Sequence, residues 1–151
     1  MALPLDSITF FTDRVLGRHD VPESLRRFGL TVEIQQDHFE SDCEDHVWIT
    51  EVGKRGWIIL TKDKQIRSRQ IEIAALMRSD TATFVLTNAN TSGPKNAETF
   101  IKAMPKIFEL IKRIKKPFLA TITPAGDVAL ARTHEMMIEK YLSLAQKRSA
   151  D

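Results

Sequence analysis

The 151-residue chain has a single cysteine, Cys43, so no intrachain disulfide framework is available, and the expected compartment is a reducing one. No apolar run approaches the length needed to span a bilayer. The opening MALPLDSITFF has no basic region ahead of a long apolar core, so the expected location is cytoplasmic, with no membrane partner. Charge of one sign is also lacking. Lys and Arg number 22 against 20 Asp and Glu, a net +2, so the molecule as a whole is no polycation. Any affinity for nucleic acid must come from local basic patches. Repeats and low-complexity linkers are absent. Zinc is disfavoured: His38 and His46 flank an acidic segment, but the spacing matches no familiar ligand set. Asn90-Thr91-Ser92 fits a glycosylation sequon, which without a secretion signal is accidental.

What is present is an alternation of short apolar runs with amphipathic stretches. Strands are predicted at 8–12, 31–34, 57–60, 82–86 and 118–122, with 128–131 returning as a hairpin partner after a turn at 123–127. Helices are predicted at 21–28, closed by Gly29, and at 44–52, where Gly53 stands in the position of a helix end. A third covers 70–77. The longest runs from Asn96 to Lys115, and Pro105 inside it predicts a kink or break. A terminal helix covers 133–147. Strands alternating with helices imply an α/β protein, a three-layer α/β/α sandwich around a mostly parallel sheet. The expected division is residues 1–125 as the main domain, with 126–151 as a C-terminal hairpin and helix extension of it.

Ligands of an open parallel sheet gather at the carboxyl ends of its strands. Asp13 ends the first strand and Asp63 the third, so the two acids share one edge if those strands are neighbours. Asp45, with Asp42 and Glu44 nearby, begins a helix that opens on the same edge. Any of these three could instead cap the helix at its positive end. Clustered carboxylates repel unless a cation neutralises them, and hard oxygen donors suit Mg²⁺ or Mn²⁺. Such a site supports phosphodiester hydrolysis.

The stretches FFTDRVLG and CEDHVWITEVGKRGWIILTKDKQIR resemble the PIN-like nuclease superfamily, most closely its VapC-type toxins and the related Mut7-C domain. The resemblance runs to about residue 120 and is most specific at Asp13, at Asp45 with Trp48, and at Thr61-Lys62-Asp63. It implies a Mg²⁺- or Mn²⁺-dependent ribonuclease in which Asp13, Asp45 and Asp63 are both catalytic and metal-binding. The implied partners are an RNA substrate and an antitoxin protein. One departure stands out: the family adds a glutamate from a central helix, and neither Glu23, Glu40 nor Asp42 matches it convincingly. The alternative is an inactive module of the same kind that binds RNA or a protein. A receiver-like phosphoacceptor fits less well, because Asp13 has no adjacent acid.

Basic and amide side chains surround these acids. Arg14, Lys62 and Lys64, followed by Arg67 and Arg69, are candidates for holding an RNA backbone; solvated surface charge is the equal alternative. Asn88, with Thr87 and Asn90, ends the fourth strand on the same edge and is a candidate for substrate binding. Trp48 and Trp57 read as core. Lys102, Lys106, Lys112, Arg113, Lys115 and Lys116 give the long helix a basic outer side. The terminal helix, with Met136, Met137, Ile138, Tyr141 and Leu144, is expected to pack on a partner chain or a second copy.

Overall fold

The computed structural model describes residues 7–67, 69–90 and 92–150. The segment read for a leader (1–6) and Thr91 of the sequon lie outside them, as do the side chains of Arg67, Tyr141 and Leu144. Six strands form one sheet: β1 (Thr9–Thr12), β2 (Thr31–Ile34), β3 (Ile58–Thr61), β4 (Ala82–Leu86), β5 (Phe118–Ile122) and β6 (Val128–Arg132). Their order is β2-β1-β3-β4-β5-β6. The first five run parallel, and β6 returns antiparallel on β5 as a hairpin. Five helices cover the faces: α1 (Asp20–Arg27), α2 (Asp45–Lys54), α3 (Gln70–Arg78), α4 (Gly93–Arg113) and α5 (His134–Ala150). Among the described residues no helix is long and apolar enough to cross a membrane.

Strand alternation sorts the core into two layers. Phe10, Ile58, Leu60, Phe84 and Phe118 point one way and meet α1 and α4 through Leu25, Phe100, Met104 and Ile107. Their neighbours Phe11, Ile59, Val85 and Leu119 point the other way, onto Trp48, Ile49 and Val52 of α2, Ala75 and Leu76 of α3 and Met137 of α5. Each large side chain removed from water in these layers contributes about 1.5–3 kcal/mol. The mostly parallel three-layer architecture expected from the sequence is present.

Two local expectations are corrected. Gly53 does not end α2, which continues to Lys54; Gly56, at φ 71°, follows its end. Gly53 is a contact residue. A Cβ there would lie 2.2 Å from Cβ of Ser79 and 2.8 Å from its Cα. The missing side chain lets α2 approach the C-terminal end of α3. Pro105 does not break α4, a continuous helix of 21 residues. Pro105 is exposed, so the hydrogen bond it removes is lost on the solvent side, where water can replace it. The same helix begins earlier than its periodicity implied: the Ser92 hydroxyl accepts from the backbone N–H of Lys95, and a proline sits in the first turn.

The terminal helix has its own seat in the core. Met137 is buried against the α2–α3 layer, whereas Met136 and Leu142 are exposed.

Candidate active site

β1 and β3 are hydrogen-bonded neighbours, with Phe10 opposite Ile58 and Thr12 opposite Leu60. Their ends therefore bring the residues that follow, Asp13 and Asp63, to one edge. The backbone N–H of Asp13 donates to the Leu60 carbonyl at 3.4 Å. Thr61, fully buried, links the two acids. Its hydroxyl donates to Asp13 Oδ2 at 2.5 Å and accepts from the backbone N–H of Asp63 at 3.0 Å. Asp63 Oδ1 in turn accepts from the N–H of Gln65 at 3.0 Å, which closes the turn after β3. The residue between two lysines is thus held at its backbone by the strand's last hydroxyl and at its carboxylate by its own turn.

Asp45 is the first residue of α2, yet no side chain caps that helix. Its Oδ1 accepts instead from the indole N–H of Trp48 at 2.8 Å. Trp48 is core, as expected, but its polar edge also fixes an acid of the site. Asp42 and Glu44 remain exposed, and Glu44 pairs with His46 at 3.3 Å. His38 pairs with Glu33 at 2.8 Å.

A fourth acid escaped the sequence reading. Glu72, in the first turn of α3, is only 2% exposed. Asp45 meets it both as a hydrogen-bonding partner and as a like charge. Arg69 Nη1 lies 3.8 Å from its Oε1. The three positions weighed for this role lie elsewhere: Glu23 pairs with the exposed His19 on α1, and Glu40 and Asp42 are surface loop residues. Glu72 stands between Ile71 and Ile73 in an apolar pattern, so only the approach of α2 to α3 reveals it.

The electrostatics follow from burial. Asp13, 3% exposed, is pushed up to about 8, first by desolvation and then by the charges of Asp63 and Asp45; the Thr61 hydrogen bond and Lys62 pull the other way. Glu72 is pushed up to about 7 by desolvation, then by Asp45 and more weakly by Asp63, against Arg69. Among the described residues, two buried carboxylate oxygens, Asp13 Oδ1 and Glu72 Oε2, have no hydrogen-bond partner. Buried acceptors are rarely left so, and a cation or a proton satisfies them. Asp13, Asp45, Asp63 and Glu72 are the residues that could hold a hard divalent ion. Among the described residues, no three His, Cys, Asp or Glu side chains already close into a metal-binding group, so binding would require the carboxylates to draw inward.

The basic candidates separate into two places. Lys62 and Lys64 line a groove beside Asp63 that continues to Asn88 and Asn90 after β4. Neither lysine is in a salt bridge among the described residues. Arg14 faces a different, polar pocket with Gln36 and Asp37; its Nη2 donates to the Phe39 carbonyl at 3.3 Å, and its backbone N–H donates to Gln35 Oε1 at 2.8 Å. It ties down the segment after β2 and does not line the lysine groove. On α4, Lys106 and Arg113 both pair with Glu109, which offsets part of that basic side.

A sheet of this order, with acids converging on the carboxyl ends of β1 and β3, defines a class that comparison makes specific. The family described as "PIN like domain" matches residues 8–88, more than half of the chain, and the protein belongs to that family. The chain is also 28% identical over 122 residues, 78% of its length and 88% of the relative's, to the Mycobacterium tuberculosis protein named "Putative ribonuclease VapC45". No solved structure gives a significant match.

Proposed function

We propose that the protein is a Mg²⁺- or Mn²⁺-dependent endoribonuclease, with Asp13, Asp45, Asp63 and Glu72 as its acidic centre. The observation that carries this reading is the pair of buried carboxylate oxygens on Asp13 and Glu72 that lack a partner among the described residues, both acids being raised further by Asp45 and Asp63. Such a set costs stability unless a cation occupies it, and a divalent ion there would supply positive charge to the phosphate and lower the pKa of an attacking water. The chain's own residues do the positioning. Thr61 keeps Asp13 and Asp63 in one register, Trp48 orients Asp45, and the neighbouring lysines 62 and 64 hold the phosphate backbone. Water oxygen then bonds to phosphorus as the ester P–O bond breaks, and the leaving oxygen takes up a proton.

The relative's name and the VapC-type resemblance support a cytoplasmic toxin held by an antitoxin. We assign residues 1–125 to the nuclease domain and 126–151 to an extension of it. An inactive RNA-binding module is favoured by one observation, the open spacing of the acids. Both readings meet the same test. Labelled single-stranded RNA is incubated with the protein in Mn²⁺, Mg²⁺ or EDTA, beside Asp63→Asn. Cleavage is expected only with metal and only in the wild type, while the variant still binds RNA. Equal cleavage by Asp63→Asn would end the assignment.

A further inference from the structure

The groove beside Asp63 carries more than phosphate-binding charge. Lys62 and Lys64, after β3, line it together with the short turn after β4 that carries Asn88, Ala89 and Asn90. Val15, 44% exposed and two residues after Asp13, lines it as well. Asn88 has φ 48°, a left-handed conformation unusual for a residue with a side chain. Its amide is exposed, and among the described residues it has no hydrogen-bond partner.

The turn that carries it is braced at Asn90. The side chain of Asn96, 3% exposed, accepts from the backbone N–H of Asn90 and donates to the Asn90 carbonyl, each at 2.9 Å. Asn90 Oδ1 accepts from the N–H of Ser92 at 2.8 Å. Asn88 therefore offers an unused donor and acceptor in a groove that it shares with Val15 and with two lysines that form no salt bridge among the described residues.

A phosphate has acceptors only and uses one half of a carboxamide. The edge of a nucleobase presents a donor and an acceptor side by side and uses both, while its faces need apolar contact. We propose that this groove is a nucleobase pocket: Asn88 reads the edge of one base next to the cleaved linkage, Val15 and Ala89 contact the ring, and Lys62 and Lys64 hold the flanking phosphates. This rests on the ribonuclease reading for its substrate class and adds a sequence preference set by Asn88.

The variants are Asn88→Gly, which removes the amide while tolerating the positive φ, and Asn88→Asp, which leaves an acceptor without the donor. Binding of five-nucleotide RNAs differing at one base is followed by fluorescence anisotropy in EDTA, so that the result does not depend on cleavage. Cleavage sites in a random RNA pool are mapped in parallel with Mn²⁺. The wild type is expected to favour one base by roughly 5- to 100-fold, the range of a two-point base contact. Asn88→Gly should flatten that preference, and Asn88→Asp should shift it towards bases with an amino group. Equal binding of all pentamers by the wild type overturns the proposal, as does an Asn88→Gly loss that is uniform across bases. A wild type that discriminates pentamers but cleaves nothing upholds the pocket and removes the nuclease reading instead.

Discussion

The two helical layers on this sheet do different things with the same strands. The α1–α4 layer is apolar but for Asn96 at the start of its 21-residue helix, which buries Phe100, Met104 and Ile107. The α2–α3 layer is smaller and holds charge: Glu72 is buried within it, and Asp45 sits at its rim on Trp48. Close packing explains how. Because Gly53 lacks a side chain, the C-terminal ends of α2 and α3 meet closely at Ser79, and the two helices run side by side back to the first turns that carry Asp45 and Glu72. One layer supplies stability, and the other gives part of it up to concentrate negative charge at a strand edge.

Cutting the apolar layer should have the largest effect and the least specific one. Phe100→Ala removes a fully buried ring and is expected to cost about 3–5 kcal/mol in denaturant unfolding. The remaining folded protein should keep an unchanged response to Mn²⁺. Altered metal response at equal folded fraction would mean the layers are not independent.

Gly53→Ala strikes the packing that assembles the acids. The added methyl meets Ser79 backbone as well as side chain, so α2 must shift, at an expected cost of about 1–3 kcal/mol. Unlike Phe100→Ala, it should also weaken Mn²⁺ stabilisation in a thermal melt.

Metal-free stability should fall as pH rises. Asp13 and Glu72 are held at about 8 and about 7, above their ordinary 3.8 and 4.5, so the folded state binds their protons more tightly than the unfolded chain does. Their contribution is complete below about pH 4 and is lost as pH climbs through 7 and 8, on the order of a few kcal/mol. Asp13→Asn should flatten this curve in urea unfolding at pH 5 and pH 8. Glu72→Gln should leave stability at pH 8 equal or raised by about 1 kcal/mol while shrinking the gain from Mn²⁺. A large loss at both pH values would make either acid structural.

The smallest effect belongs to the groove. Lys64→Ala should change folding stability by under about 0.5 kcal/mol, yet weaken RNA binding and lower the slope of log affinity against log salt by about one. An unchanged salt slope would remove Lys64 from the RNA path.

Strand-end acids were readable in the sequence because Asp13 and Asp63 interrupt apolar runs, and the sheet order then places them side by side. Asp45 was readable from the resemblance, since as a helix-start acid it looks like an ordinary cap. Glu72 was not, because its role depends on a helix–helix approach set by Gly53, and a glycine gives no sign of what it touches. Gly53 itself read as a helix end for the same reason. Pro105 read as a break because the general rule for an interior proline does not distinguish the outer side marked by Lys102 and Lys106, where water replaces the lost hydrogen bond. Arg14 follows Asp13 directly, yet the chain turns there and carries its side chain away to Phe39.

The central claim is that the buried acids form one cation site whose protons must leave when metal arrives. Calorimetric titration of Mn²⁺ at pH 7, repeated in buffers of different ionisation enthalpy, counts those protons directly. With Asp13 at about 8 and Glu72 at about 7, binding should release protons, and Asp13→Asn should reduce the number released. Mn²⁺ binding with no proton release, or no binding by the wild type, would contradict the account.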